Sequence, residues 1–449
     1  MNHQESRIDP VDEVLPLKSL VLYGMQHVLV MAASPITAVF LVAQTLGFDM
    51  ALTVAIISAT FLVCGLGSIL QSFGPGGFGA RLPFIMVPGG APIAIFLAIA
   101  VQTDVQTAVG AVLLTSVFYF LALPVFSRLL RFFPPIVVGT MLLLVAVNLV
   151  KIYGGTITGK PGSEHFADPV NVGLALATIA LTVLFSRIFT GTLQRISVML
   201  GLIAGTALAA ALGRLDLTGV MTGPLIAVPQ PFPFGMPKFD LIASLPLIVF
   251  SVISMAEATG QTIATAEIVG RKGDAHPIVP RTIRGDAVAS LLGGMLGTSL
   301  IITSGENVGI VRATGVRSRH VTAMAGVILV LIALIAPVSR LASVLPGPVV
   351  GGTAVIVFSI IGVIGIHVLS RVDLRQHSAM FTLASGLAMG LMPILVPGVY
   401  SQFPQWSQMI LGNGLAMGTI TAALVNALFQ VRAAPADPAA KPTPQEEHA

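Results

Sequence analysis

Two glutamates lie inside apolar stretches of the chain, where charged side chains are rare. Glu257 follows a largely apolar run with no basic residue nearby in sequence, and Glu306 precedes Asn307 after a Ser-Gly pair. Intramembrane carboxylates are costly and usually functional. An ionised carboxylate accepts two N–H donors side by side. The pair therefore suits a neutral, polar ligand rich in N–H groups and disfavours an inorganic anion.

Each intramembrane polar residue also has a structural interpretation. Glu257 could be a protonated, hydrogen-bonded carboxyl, and Glu306 an ordinary acid favoured by a helix N-terminus. His27 could stabilise a helix–helix contact. Asp286 lies close to the basic loop 271–284, where it could cap a helix or pair locally. A carboxyl whose pKa burial has raised can also carry a proton at neutral pH.

Composition restricts the kind of protein that carries these residues. The chain has 449 residues, of which 55% are apolar and 9% are charged, against about 25% charged residues in soluble proteins. These values exclude a soluble enzyme, a disordered chain and a nucleic-acid binder. The single cysteine, Cys64, permits no internal disulfide or cysteine metal cluster. No metal-spaced cluster or nucleophile motif is present, so we expect no enzyme and no metal or cofactor.

The apolar stretches predict one all-α polytopic membrane domain with fourteen segments. A bilayer core of about 30 Å needs roughly 20 residues per helix. The predicted segments are 18–45, 50–71, 90–103, 106–123, 135–150, 169–186, 196–213, 241–266, 282–298, 306–315, 321–338, 347–369, 377–395 and 408–429. We expect 18–430 to form the membrane domain, 1–17 a cytoplasmic tail and 431–449 a disordered cytoplasmic tail.

The distribution of basic residues supports this topology. The N-terminus lacks the basic region of a cleaved signal, so the first segment is expected to remain. With both termini inside, eighteen of the 23 lysines and arginines fall on the inner side of the membrane. This asymmetry is the positive-inside signal.

An internal repeat divides the membrane domain into two halves. The motif Ser127–Thr140 resembles Ser339–Thr353, at an offset of 213 residues between Pro135 and Pro348. Two halves of seven segments, about 18–213 and 241–430, would have opposite orientations. This arrangement is the inverted repeat of secondary transporters.

Two segments are too short to cross the membrane as helices, one in each half. Segments 90–103 and 306–315 follow the extended-looking runs 82–87 and 299–303. Unpaired backbone in hydrocarbon costs several kcal/mol, so the two runs are expected to pair. The N-termini of the half-helices would then point toward the bilayer centre, which marks the binding site of a transporter.

The residues around the second half-helix resemble the nucleobase–ascorbate transporter family. Its signature is [Gln/Glu/Pro]-Asn-x-Gly-x-x-x-x-Thr-[Arg/Lys/Gly], and Glu306 through Gly315 match every defined position. Gln26-His27 also matches, and the resemblance extends over about 15–430.

The resemblance implies a core domain and a gate domain, with paired short β-strands in segments 3 and 10. It also implies cation-coupled nucleobase uptake, usually driven by protons with sodium not excluded, often by a homodimer with elevator-like motion in the cell (inner) membrane. The substrate-binding residues it implies are Glu257, Glu306, Asn307, Gly90 and Ala91. The proton-coupling or site-organising residues it implies are His27, Asp286, Gln26 and Thr259.

The signature combines features of two substrate classes. Glu306 is typical of uracil-type members, whereas the downstream Thr314-Gly315 resembles purine-type members. We expect a purine such as xanthine or urate, with uracil as the rival. An anion exchanger of the sulfate-transporter type is a further alternative with the same fold. A membrane-embedded enzyme is the least favoured alternative.

Overall fold

The computed structural model describes residues 9–432 with several gaps. The gaps are residue 32, 127–133, 160–165, seven positions between 216 and 227 (216, 218, 219, 221, 223, 224 and 227), 272–274, and positions 405, 406, 409 and 410. The predicted tail 431–449 falls outside the described residues from 433 onward. The first half of the motif Ser127–Thr140, residues 127–133, also lies outside them.

Helices account for most of the described chain. In order they are α1 (Leu17–Met31), α2 (Ala33–Leu46), α3 (Met50–Phe73), α4 (Gly90–Gln102), α5 (Val105–Ala122), α6 (Pro135–Thr158), α7 (Pro169–Ile188), α8 (Gly191–Arg195), α9 (Ser197–Ala211), α10 (Leu241–Val269), α11 (Ala275–Met295), α12 (Gly305–Thr314), α13 (Arg319–Leu334), α14 (Ala336–Ser343), α15 (Gly347–Leu369), α16 (His377–Leu395) and α17 (Gly414–Arg432). The strands are β1 (Met86–Pro88) and β2 (Ile301–Thr303), and 3₁₀ turns form at Pro75–Gly77 and Leu123–Val125.

The described helices are those of a polytopic membrane protein. Seven are long and apolar enough to cross a bilayer, and five shorter ones are also apolar. The first predicted span, 18–45, is divided into α1 and α2 on either side of residue 32. Pro35 lies in the first turn of α2, where a missing N–H costs little. The count of fourteen spans stays a prediction.

The predicted pairing of the two extended runs is confirmed. β1 and β2 form an antiparallel ribbon in which Val87 opposes Ile302. Bonds from the N–H of Gly89 to Leu300 O and from the N–H of Ser304 to Ile85 O extend it at both ends. β1 begins at Met86 and not at residue 82, because the Phe84 N–H bonds to Leu82 O in a tight turn around Pro83 instead of joining the ribbon. The pairing satisfies backbone groups that hydrocarbon would leave without partners.

The helices pack into two groups, which correspond to the core and gate domains that the resemblance implies. The core contains α1–α5 and α10–α13 together with the ribbon. The gate contains α6, α7, α9, α15, α16 and α17. α4 and α10 lie at the boundary, where α4 contacts α6 and α10 contacts α17. The ribbon and its two half-helices, α4 and α12, therefore lie in the core, and α4 contacts the gate.

Candidate substrate site

Glu257 lies on the one long helix that packs against both half-helices. α10 contacts α4, α12 and β2, and its first turn is capped by Asp240. The Glu257 side chain is half-buried, and the described residues offer it neither a hydrogen-bond donor nor a cation. A carboxylate in this position is available to a ligand.

Open space runs beside Glu257 along α10. Gly260, one turn further on, is exposed, and a Cβ added there would meet no atom within 4 Å. Gly305, the first residue of α12, is also exposed. The open space beside these two exposed glycines is here called the cleft, and Glu257 lies one helical turn from Gly260.

The N-terminus of α4, a helix that contacts α10, offers free backbone donors. Gly89 caps α4 without a side-chain hydrogen bond, and Pro92 has no N–H. The first-turn N–H groups that remain are those of Gly90 and Ala91, the two backbone positions that the resemblance implies. Helix N-termini carry partial positive charge and orphan N–H groups. They suit the carbonyl oxygens of a ligand whose N–H groups face Glu257.

Gln261 connects α10 to the junction between β2 and α12. In the amide orientation that satisfies both neighbours, its nitrogen donates to Thr303 O at 3.1 Å and its oxygen accepts from the Gly305 N–H at 3.3 Å. Gln261 follows Glu257 by four residues and so lies on the same helix face. It fixes the start of α12 relative to Glu257.

Asn307 anchors α12 to the other half of the domain. Its Nδ2 donates to Pro83 O at 2.6 Å, and the side chain is fully buried. Its side chain also interacts with that of His27 on α1. The His27 Nδ1 and the Asn307 Oδ1 each lack a well-formed hydrogen bond. The helix of span 1 thus contacts the helix that carries the signature.

Asp286 binds the ribbon, and no described residue of the basic loop 271–284 forms an ion pair with it. Its Oδ1 accepts from Thr303 Oγ1 at 2.6 Å and from Gln71 Nε2 at 2.9 Å. Gln71 also donates to Thr282 O and accepts from the Ala80 N–H, both at 2.9 Å. This network joins α3, α11 and β2 below the site. The geometry gives Asp286 a site-organising position.

Of the remaining predicted site residues, the structure describes the side chains of Thr259 and Gln26 but not that of Glu306. Glu306 lies in the first turn of α12, but its side chain is outside what the structure describes. Thr259 hydroxyl donates to Met255 O within α10 at 2.8 Å, and Gln26 Nε2 is buried without a partner. The structure therefore places Asn307 beside His27 and Asp286 on the ribbon. Glu257 lies on the helix that contacts both half-helices.

Sequence reasoning missed two amides, Gln71 and Gln261. Both lie in apolar helices, as Glu257 does. A search restricted to ionisable side chains passes over them, although an amide in hydrocarbon also needs partners. A glutamine inside an apolar helix is therefore the sequence signal that could have identified both residues.

Comparison with known proteins identifies the family. A family model described as the permease family matches residues 18–399. The chain belongs to the nucleobase–ascorbate transporter family. The resemblance carried by Glu306–Gly315 is thereby confirmed.

Curated relatives in this family are similar over nearly their whole length. The chain is 30% identical to the uric acid permease PucK of Bacillus subtilis, over 92% of this chain and 96% of PucK. It is 30% identical to the uric acid transporter UacT of Escherichia coli, over 95% of this chain and 89% of UacT. It is also 30% identical to the xanthine permease XanP of E. coli, over 92% of each chain.

Solved structures confirm the fold of this family member. The transmembrane domain of the cyanobacterial bicarbonate transporter BicA matches with a TM-score of 0.58 at 14% identity, over 92% of this chain and 98% of that domain. Murine Slc26a9, an anion transporter in the inward-facing state, matches with a TM-score of 0.62 at 12% identity, over 94% of this chain and 70% of Slc26a9. The fold is that of the 7+7 inverted repeat. The chain is a multi-pass membrane permease.

Proposed function

We propose that the protein takes up a nucleobase together with protons across the cell membrane. A purine such as xanthine or urate is the favoured substrate, and uracil is the alternative. The relatives named above, uric acid and xanthine permeases, support the purine. The anion exchanger with the same fold is not favoured, because only fold similarity at 12–14% identity points to it.

A single observation carries the proposal: the Glu257 carboxylate lies half-buried, without a partner among the described residues, beside open space. A flat base presents neighbouring N–H groups that a carboxylate accepts side by side. The N–H groups of Gly90 and Ala91 are the proposed donors to its carbonyl oxygens. Glu306 in the first turn of α12 is the second proposed acceptor, and Asn307 holds that helix in place.

Proton coupling is proposed for the same group of side chains. His27 and Asp286 are both buried, at 2% and 1% exposure. Glu257 is open to the cleft, so a proton can reach its carboxylate together with the substrate. Bound substrate and bound proton would then favour the same movement of the core against the gate, as alternating access requires. The protein is proposed to act in the inner membrane, as a homodimer, with both termini cytoplasmic.

Uptake into inverted or right-side-out membrane vesicles tests the proposal. Radiolabelled xanthine, urate, guanine and uracil are offered in turn, with and without a protonophore. We expect one purine to accumulate, an excess of the unlabelled purine to compete, and the protonophore to abolish accumulation. Accumulation of uracil alone would support the alternative substrate, and accumulation of no base would refute the proposal.

A sodium gradient is imposed in a parallel experiment without a pH gradient. Accumulation that depends on the sodium gradient and persists in the presence of the protonophore would identify sodium, and not the proton, as the coupling ion. Glu267→Gln in the same protein is the control variant. Glu267 lies on the exposed end of α10 and is expected to leave uptake unchanged.

A further inference from the structure

The segment before α1 is docked against the core over its described part. Val11 is completely buried in a cluster with Leu82, Phe84 and Val269, and Val308 of α12 packs against the same cluster. A buried valine contributes about 1.5–3 kcal/mol relative to an exposed one. The described residues 9–13 are here named the N-terminal strap. The predicted tail 1–17 is thus in part an element of the folded core.

Ion pairs fasten the strap on both sides of Val11. Arg271, directly after α10, pairs with Asp9 at 3.0 Å and with Asp12 at 2.9 Å. Arg319, the first residue of α13, pairs with Asp12 at 2.6 Å and is 8% exposed. Burial opposes ionisation of Asp12, but the hydrogen bond from Arg319 and the charges of Arg319 and Arg271 outweigh it and lower the pKa of Asp12.

Backbone contacts complete the attachment. The Arg319 N–H donates to Val11 O at 3.0 Å, and the Ser318 hydroxyl donates to Glu13 O at 2.5 Å. The Arg319 guanidinium also donates to Ser72 O at the end of α3, at 2.8 Å. The strap therefore joins the ends of α3, α10 and α13, all of which belong to the core. It has no described contact of this kind with the gate.

The strap contacts the proposed substrate site indirectly, through residues that pack on Val11 and adjoin Pro83 and Asn307. Leu82 and Phe84, which pack on Val11, flank Pro83, whose carbonyl binds the Asn307 side chain. Val308, also packed on the Val11 cluster, follows Asn307 in α12. A displacement of the strap would thus loosen α12 from the run that leads into β1.

We propose that the N-terminal strap is a positioning element of the substrate site, because it presses residues 82–84 against α12 and so fixes Asn307 and the start of that half-helix. Val11 and Asp12 are its two positioning residues. The inference rests on the proposed function, since the site it positions is the proposed nucleobase site. Its consequence is that substrate affinity depends on residues outside the membrane segments.

Uptake kinetics of strap variants test this proposal. Val11→Asp places a charge in the apolar cluster, and Asp12→Asn removes the charge that holds Arg319 and Arg271. Each is expected to raise KM about threefold to thirtyfold, the range that coupling between separated sites usually spans. Vmax per inserted molecule is expected to change by less than about twofold. Glu13→Gln is the matched control, because only the backbone carbonyl of Glu13 is used and its side chain is exposed.

A labelling experiment reports on the strap without any transport. Val269→Cys is introduced into Cys64→Ala, and maleimide labelling of the purified protein is followed with time. Val269 is completely buried beneath the strap, so labelling is expected to be slow and to accelerate in Val11→Asp and Asp12→Asn but not in Glu13→Gln. If the parent protein transports no base, the proposed function fails while labelling still measures strap docking.

The outcomes separate positioning from simple stabilisation. Faster labelling together with a raised KM supports the proposal. Faster labelling with an unchanged KM, or a loss of Vmax in proportion to the amount of inserted protein, overturns it. If Val11→Asp does not accumulate in the membrane, the milder Asp12→Asn decides by the same criteria.

Discussion

The side-chain amide of Asn307 donates a 2.6 Å hydrogen bond to the backbone carbonyl of Pro83. The two residues are 224 positions apart and belong to opposite halves of the repeat. Pro83 leads into β1, and Asn307 lies in the first turn of α12. One bond therefore ties the half-helix of the second half to the run that precedes β1 in the first half.

Replacing Asn307 by alanine is expected to weaken substrate binding. The change leaves the buried Pro83 carbonyl without its donor, at a cost of about 1–3 kcal/mol, and each 1.4 kcal/mol is about tenfold in affinity. Uptake kinetics of Asn307→Ala should show KM raised by about tenfold or more. Asn171→Ala, at the half-buried start of α7, is the control. An unchanged KM would show that the bond does not position the site.

Removing Asp286 is expected to loosen the ribbon. Asp286→Ala removes the acceptor of the Thr303 hydroxyl and of one N–H of Gln71, whose other N–H keeps its bond to Thr282 O. Asp286→Asn retains an oxygen that can accept from both groups. A buried donor without an acceptor costs about 1–3 kcal/mol. The melting temperature of the purified protein should therefore fall further in Asp286→Ala than in Asp286→Asn. Equal melting temperatures in both variants and the wild type would contradict the organising position of Asp286.

A larger side chain at Gly89 is expected to displace the start of α4. A Cβ at this position would lie 2.8 Å from Ile302 Cδ1 and 2.9 Å from Pro92 Cδ. Val adds two further methyl groups, and overpacking of this kind usually costs about 1–3 kcal/mol. Gly89→Val should lower uptake per inserted molecule, as measured in vesicles. Gly173→Val, where a Cβ would meet nothing within 4 Å, is the control, and equal uptake by both variants would count against the half-helix as part of the site.

Acid is expected to release the N-terminal strap. Since the pKa of Asp12 is lowered in the folded protein, its ionisation stabilises the fold above the ordinary aspartate range. That contribution is lost as the pH falls below about 4. The melting temperature of the wild type should thus drop more steeply below about pH 4 than that of Asp12→Asn. Parallel curves for the two proteins would show that the Asp12 ion pairs add no stability.

The backbone plan of the core could be predicted from the sequence. Two short apolar segments, 90–103 and 306–315, could not cross a bilayer, and hydrocarbon does not tolerate unpaired extended backbone. The pairing of β1 with β2 follows from those two facts. The limits of β1 did not follow, because the local turn at Pro83 depends on its contact with Asn307.

The side-chain partners of the site could only be read from the structure. Periodicity placed Glu257 and Asp286 inside the membrane, but it could not show that Asp286 binds Gln71, 215 positions away. The attachment of Val11 and Asp12 was also hidden, since an acidic N-terminal segment resembles a solvated tail. Such contacts depend on how distant helices pack, which spacing along one helix does not encode.

Equilibrium binding to Glu257→Gln tests the account most directly. The base that gives the highest uptake is radiolabelled and added to purified wild-type protein, Glu257→Gln and the control Glu267→Gln. Glutamine keeps the size of the side chain but replaces one acceptor oxygen by a donor, so the side-by-side pairing with the base is lost. Because hydrogen bonds to charged groups contribute about 1.5–3 kcal/mol, we expect Kd to rise by about tenfold to a hundredfold in Glu257→Gln alone. A Kd equal to that of the wild type, in a folded Glu257→Gln protein, would show that this carboxylate does not hold the substrate.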